Sequence, residues 1–262
     1  LTGHKDIDLE DIKNFRQLNS KCAGHPEFGY INAIETTTGP LGQGLANAVG
    51  MAISEKLMSE RYGADIINHK TYCLVGDGCL MEGISQESIS IAGHLNLNKL
   101  IVLWDNNSIS IDGSTEIATS ENMKMRFEAC NWQVIQIDGH NYGEIRQAFN
   151  QAQKSEKPVL IDCKTKIGFG SPSFQGSSKC HGAPLGEDEV IKVRQKLNWD
   201  HAHFAIPNDL YDYWHDAGKR HRQNFHDWEE RFHELSESKQ QDLKRIMHKD
   251  LPENFAKKLK KA

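Results

Sequence analysis

Two short stretches carry oxygen-bearing side chains at the ends of apolar runs. Gly76-Asp77-Gly78 follows the run Thr71 to Val75, and Asp105-Asn106-Asn107 follows Lys99 to Trp104. A carboxylate oxygen from Asp77 and an amide oxygen from Asn107 are hard donors, the kind Mg²⁺ takes in octahedral coordination shared with a phosphate. Glycine at the carboxyl end of a strand lets backbone amides approach phosphate oxygens closely. Each stretch also has a plainer reading. Gly-Asp-Gly alone is more often a tight turn, and Asn106-Asn107 alone is equally well explained as one. His25 and His181 are candidates for handling substrate because imidazole titrates near neutral pH, although a lone histidine is more often a surface or packed residue. The six cysteines form no C-x-x-C pair, which argues against a zinc site and a redox motif and fits free thiols in a reducing cytoplasm. Cys180 adjoins His181, but neighbouring side chains point apart, so no Cys-His dyad is expected.

These residues need a frame to bring them together. From 71 to about 165, apolar runs alternate with helical patterns, as in a parallel sheet with crossover helices. Strands are predicted at Thr71 to Val75, Lys99 to Trp104, Trp132 to Ile137 and Pro158 to Cys163, with helices at Ser85 to Leu95 and Tyr142 to Lys154. Gly42 to Tyr62 reads as one long helix with a buried first half. The fold class is therefore α/β: an open, mostly parallel sheet with helices on both faces. Asp77 and Asn107 are 30 residues apart, the length of a strand, helix and strand, so successive strands lying side by side would let them converge.

Residues 166–186 hold five glycines and two prolines, a composition suited to a functional loop that covers something. Beyond it, Leu210, Trp214, Ala217, His221, Phe225, Trp228, Phe232 and Leu235 recur at spacings of three and four, which predicts one long helix with an apolar stripe. The chain is thus divided into an α/β domain over 1–200 and a helical connector over 201–262, with a free coiled-coil arm as the alternative for the latter. Lys257 to Lys261 is expected to be a solvated helix end.

The net charge of −5 supplies no basic field for nucleic acid or an anionic membrane, and small molecules are the expected ligands. No apolar run approaches the ~20 residues of a membrane span. The chain begins Leu1-Thr2-Gly3 without an initiating Met, so a fragment or a processed chain is expected.

Several segments together resemble the transketolase family. They are Gly24-His25-Pro26-Glu27, Thr36 to Gly44 with its Thr-Thr-Thr-Gly-Pro-Leu-Gly-Gln-Gly order, Gly76-Asp77-Gly78 with Glu82, Asp105-Asn106-Asn107, and His181-Gly182-Ala183-Pro184-Leu185. The resemblance implies a thiamine diphosphate-binding fold that holds Mg²⁺, or Ca²⁺ or Mn²⁺ in its place, through Asp77, Asn107 and the Ile109 carbonyl. It implies diphosphate contacts from Gly78 and Asn107, with Gly39, Pro40 and Leu41 beside the cofactor rings. His25 would meet the reacting end of the donor sugar, and His181 would lie near the diphosphate and substrate hydroxyls. Glu82 would be a buried acid at a subunit interface near the cofactor; its plainer alternative is an acid stabilising the first turn of the next helix.

The implied activity is transfer of a two-carbon ketol unit from a ketose phosphate to an aldose phosphate, in the pentose phosphate pathway of the cytoplasm. The implied partners are sugar phosphates, a second copy in a homodimer, and a pyrimidine-binding domain on the remainder of the protein or on a second chain. That domain would carry the activating glutamate, so the isolated chain is expected to be inactive or weakly active. The competing expectations are one chain of a split transketolase, a different thiamine diphosphate enzyme such as a 1-deoxyxylulose-5-phosphate synthase or an oxo-acid dehydrogenase component, and a non-catalytic truncated remnant.

Overall fold

A short turn of helix, α1 (Leu9–Lys13), is closed by a capping box in which Asp8 and Asp11 each accept from the other's backbone amide. An irregular segment then leads to Gly42, where α2 (Gln43–Tyr62) begins. Gly42 has φ +82°, and a Cβ there would lie 2.8 Å from Ile84 Cγ2 and 2.9 Å from Glu82 Cβ. Only glycine suits both the left-handed backbone and that approach. The computed structural model describes residues 1–252 and 254–260.

The first α/β unit runs through β1 (Thr71–Gly76), α3 (Asp77–Met81), α4 (Gly83–His94) and β2 (Leu100–Asn106). A two-residue ribbon, β3 (Ile109–Ser110) with β4 (Gly113–Ser114), follows immediately. Then come α5 (Met123–Ala129), β5 (Gln133–Asp138), α6 (Tyr142–Ala152) and β6 (Val159–Lys164). All four long strands are parallel, in the order β1-β2-β6-β5. Their ranges agree with the sequence expectation to within two residues at each end.

Leu100, Ile101 and Val102 are wholly buried because β2 is an inner strand with helices over both faces. On one face Leu45, Ala48, Val49 and Ala52 of α2 and Ile89 and Ala92 of α4 meet Cys73, Val75, Leu100 and Val102. On the other, Ala148 and Ala152 of α6 meet Ile101, Ile137, Val159 and Ile161. Each buried Leu, Ile or Val contributes roughly 1.5–3 kcal/mol, so the sheet is held chiefly by this double cover. Gly93 shows how close the first layer is: a Cβ there would fall 1.6 Å from the Cys130 carbonyl oxygen. Any side chain at Gly93 would push α4 off the end of α5.

After β6 the loop 166–186 leads into α7 (Glu187–Lys196), and the remaining helices are α8 (Asn208–Lys219), α9 (Arg222–Glu234), α10 (Glu237–Met247) and α11 (Phe255–Leu259). The single long helix expected over 210–235 is two helices, interrupted at Arg220 and His221. Each half keeps its own apolar stripe, and reading the spacing across the break concealed it. The halves also have different surfaces: Gly218 of α8 packs against Thr2, where a Cβ would lie 2.3 Å from the carbonyl oxygen. In α9, Trp228 and Phe232 pack with Tyr62, Ile66 and Leu243. The Tyr62 hydroxyl and the Arg61 guanidinium both bond Asp242 of α10, and Arg245 reaches the same carboxyl at 2.8 Å. Helices α9 and α10 are therefore seated on the end of α2 and are not a free arm. Of the lysine-rich end, residues through Lys260 are exposed, and Lys261 lies outside the described residues.

Candidate functional site

The register of β1 on β2 pairs Gly76 with Asp105, so the residues that follow each, Asp77 and Asn106-Asn107, leave the sheet side by side. Asp77 is buried, and its two oxygens are held by different neighbours: Oδ1 accepts from Trp104 Nε1 at 3.1 Å and Oδ2 from the Ser108 amide at 3.1 Å. Ser108 has φ +62°, a left-handed backbone uncommon outside glycine, and this turn aims its N–H at Asp77. Within the same turn the Ile109 amide donates to Asn107 Oδ1 at 3.0 Å. Burial pushes the Asp77 carboxyl above its ordinary pKa, opposed by the hydrogen bonds from Trp104 and the Asn107 and Ser108 backbone.

Beneath this turn is a polar clamp across three strands. Asn106 Nδ2 donates to Asp162 Oδ1 at 2.7 Å and Gln136 Nε2 to Asp162 Oδ2 at 2.9 Å, with Asn106 and Asp162 both buried. Thr165 donates its hydroxyl to Asp105. The carboxyl ends of β2, β5 and β6 are thereby tied together, which fixes the backbone that carries Asn107 and Ile109.

Above the strand ends lies a cavity of about 630 Å³, lined by Asp77, Gln86, Trp104, Asn106, Ser108 and Lys164 among others. Of the residues that the resemblance offers for metal and diphosphate, Asp77 alone lines it; Gly78, Asn107 and Ile109 do not. The Asp77 oxygens accept these hydrogen bonds and still retain lone-pair capacity, and Gln86 Oε1, a buried acceptor, has no hydrogen-bond partner among the described residues. Among the described residues no cluster of three or more His, Cys, Asp or Glu has metal-holding geometry. A donor set of one carboxylate, one amide and one backbone carbonyl is what remains, and it suits a hard cation that takes its other oxygens from phosphate and water.

The Gly39-Pro40-Leu41 turn reaches this region from the other side. A Cβ on Gly78 would lie 3.1 Å from Leu41 Cδ1, and one on Gly39 would lie 3.2 Å from His25 Cγ. His25, Gly39, Pro40 and Leu41 line a second cavity of about 260 Å³ together with Leu74 and Cys79. The structure thus brings Asp77, Gly78, Asn107 and Ile109 into one group and His25 with Gly39, Pro40 and Leu41 into a second, which touch at Gly78 and Leu41.

Two candidates stand apart. His181 is exposed and lines neither cavity. Its loop is nonetheless fastened at both ends. The Lys166 amide donates to His140 Nε2 at 3.0 Å and the His140 ring stacks on Phe169. Ser171 Oγ and the Ser173 amide bond Glu189 of α7, and these bonds, led by the Ser171 hydroxyl, lower the Glu189 carboxyl to about 2. The Cys180 thiol, with its single S–H, lies within hydrogen-bond distance of both the Phe174 and Ser177 carbonyls. Glu82 is exposed in the single chain at the N-cap of α4, and its side chain makes no capping bond.

Trp104, Ser108, Gln86 and the Asp162–Gln136 pair were not among the sequence candidates. Trp104 adjoins Asp105 and reads as a strand residue, and only the pairing of β1 with β2 places its indole on Asp77. Asp162 could be found only by knowing that β6, not β5, lies beside β2.

A family profile described as "Transketolase, thiamine diphosphate binding domain" matches residues 1–252. The chain is 48% identical to transketolase 2 of Escherichia coli (strain K12), over 100% of this chain and 40% of that protein. Among solved structures, the transketolase of Campylobacter jejuni superposes with a TM-score of 0.89 at 44% identity, covering 94% of this chain and 38% of the other. A Pichia stipitis transketolase in complex with sedoheptulose-7-phosphate superposes with a TM-score of 0.90 at 38% identity, covering 96% and 39%. The chain therefore spans about two fifths of the length of the relatives it matches.

Proposed function

The chain belongs to the transketolase family, and from that premise we propose that it supplies the diphosphate- and metal-binding half of a ketol-transfer site. The observation that carries this reading is the convergence of Asp77 with the 107–109 turn at the carboxyl ends of β1 and β2, where Trp104 and Ser108 hold the carboxyl in one orientation. Asp77, Asn107 and the Ile109 carbonyl would hold Mg²⁺, with Ca²⁺ or Mn²⁺ able to replace it, and Gly78 would give the diphosphate close access to backbone.

When bound, thiamine diphosphate supplies the electron sink for breaking the carbon–carbon bond beside a ketose carbonyl. The residues of this chain bind and orient. Gly39, Pro40 and Leu41 form a rigid turn beside the cofactor rings, and His25, next to Gly39, is placed to hydrogen-bond the donor's reacting end and hold or move a proton there. His181 reaches the diphosphate and substrate hydroxyls when its loop closes over the cavity. Glu82, exposed here, becomes buried against a second copy and so takes part in the site of a dimer.

The proposed substrates are sugar phosphates, in keeping with the sedoheptulose-7-phosphate held by the Pichia stipitis relative, and the proposed setting is the cytoplasmic pentose phosphate pathway. A pyrimidine-binding domain, on the remainder of the protein or on a second chain, completes the site, so this chain alone has little or no activity. Titration calorimetry with thiamine diphosphate in the presence and absence of Mg²⁺, followed by a ketol-transfer assay with the pyrimidine-binding part supplied, tests the reading. Cofactor binding that ignores the metal and survives Asp77→Ala would refute the assignment. Absence of transfer in the completed protein would leave a binding module.

A further inference from the structure

At the opposite end of the sheet, a cavity of about 820 Å³ lies between the end of α2, the residues leading into β1, and helices α9 and α10. Its lining includes three carboxyl groups, Glu55, Asp65 and Asp227, against one guanidinium, Arg231. Glu55 is the unusual member: only 4% of it is exposed, and its Oε1 has no hydrogen-bond partner among the described residues. A buried carboxyl oxygen without a donor is costly, and such a group calls for a partner that brings one.

Met58, Leu243 and Met247 provide apolar wall around it. The walls are also fixed in place. Trp228 Nε1 donates to the Ile66 carbonyl at 2.9 Å and Arg231 Nε to the Asp65 carbonyl at 2.9 Å, tying α9 to the rim. Arg231 keeps its charge and its terminal N–H groups, His69 also lines the cavity, and Gln223 already bonds Asp227, so Glu55 is the carboxyl left without a hydrogen-bond donor. A volume of this order is typical of small-molecule sites.

We propose that this cavity binds a small aliphatic ammonium ion, whose charged head donates to Glu55 and whose methylenes lie along Met58, Leu243 and Met247. An alkylammonium matches the wall better than a hydrated divalent metal, because Met58, Leu243 and Met247 stand where a metal would need oxygen ligands. An anion is excluded by the carboxyl groups, and a neutral apolar molecule would leave Glu55 unpaired. The site lies at the amino ends of the strands, away from Asp77, and the inference does not depend on the cofactor reading.

The test is titration calorimetry on the full-length protein, without thiamine diphosphate, using n-butylammonium and 1,4-diaminobutane, with 1-butanol as the neutral control. Both amines are expected to bind and butanol is not, and Glu55→Gln should weaken amine binding roughly tenfold or more, the usual worth of a charge-assisted bond. Equal binding by Glu55→Gln, equal binding of butanol, or competition by Mg²⁺ would overturn the proposal. The nearby Lys70, which has no ion pair with Glu55 in the structure, gives the decisive control. If the Lys70→Met variant binds amines and the unsubstituted protein does not, Glu55 serves Lys70 and the ligand site is refuted. Thermal melts of each variant establish that it is folded.

Discussion

Two buried carboxyl groups, Asp77 and Glu55, face cavities at opposite ends of one sheet, and they are held in opposite ways. Asp77 has a separate donor on each oxygen, an indole and a backbone amide, while Glu55 Oε1 has none. The carboxyl with two donors is oriented before any ligand arrives, and its remaining lone pairs can face a cation without losing bonds to protein. The carboxyl without a donor is set by packing alone, and its free energy falls only when a donor comes in. Preorganisation and vacancy are both routes to affinity, but they respond differently to substitution.

The contrast is broken most severely at Asp77 itself. Asp77→Ala is expected to lower Mg²⁺-dependent thiamine diphosphate binding by at least ~100-fold, since one of the three proposed protein ligands, and the only carboxylate among them, is removed; calorimetry at fixed Mg²⁺ reads this. Trp104→Phe keeps the ring but deletes the donor to Oδ1. It should weaken the same binding about tenfold, the usual scale for a partner that orients a ligand, with little change in thermal stability. If Trp104→Phe leaves metal affinity untouched, the orienting role of the indole is wrong.

At the other end, Glu55→Met should raise the stability of the ligand-free protein by roughly 1 kcal/mol, because a buried oxygen without a partner is replaced by an apolar side chain of similar length. Urea unfolding would show it, and a loss of more than that amount would mean Glu55 is satisfied in solution.

The smallest expected effect concerns the loop that bears His181. Glu189, lowered to about 2 by Ser171 and Ser173, favours the folded loop when ionised. That contribution is complete above the ordinary carboxylate value of 4.5 and fades as pH falls toward 2. Limited proteolysis within 166–186 should accelerate over that window, and Glu189→Gln should abolish the pH dependence.

The Asp77 end was far more legible in the sequence than the Glu55 end. Asp77 and Asn107 stand in short motifs at the ends of apolar runs, and adjacent β1 and β2 are the default for a strand, helix and strand. Strand order beyond that pair was not readable: β6 inserts between β2 and β5, and so Asp162 and Gln136 meet Asn106 across strands far apart in the chain. The tail was misread for a related reason. A spacing of three and four survives a break such as that at Arg220–His221, so periodicity alone cannot count the helices. Glu55 was not singled out, because an acid on a long helix usually faces solvent, although it stands at helical spacing from Ala48, Ala52 and Tyr62 on the buried face of α2.

Taken by itself, the sequence determined the α/β class, the positions of the four long strands and the resemblance of the Asp77–Asn107 motif, because these depend on local periodicity and on residues close in the chain. Tertiary structure alone decided the strand order, the indole on Asp77, the Asn106–Asp162–Gln136 clamp, and the seating of α9 and α10 on the end of α2. Each of these is a contact between segments distant in sequence, chosen by which packed arrangement covers both faces of the sheet.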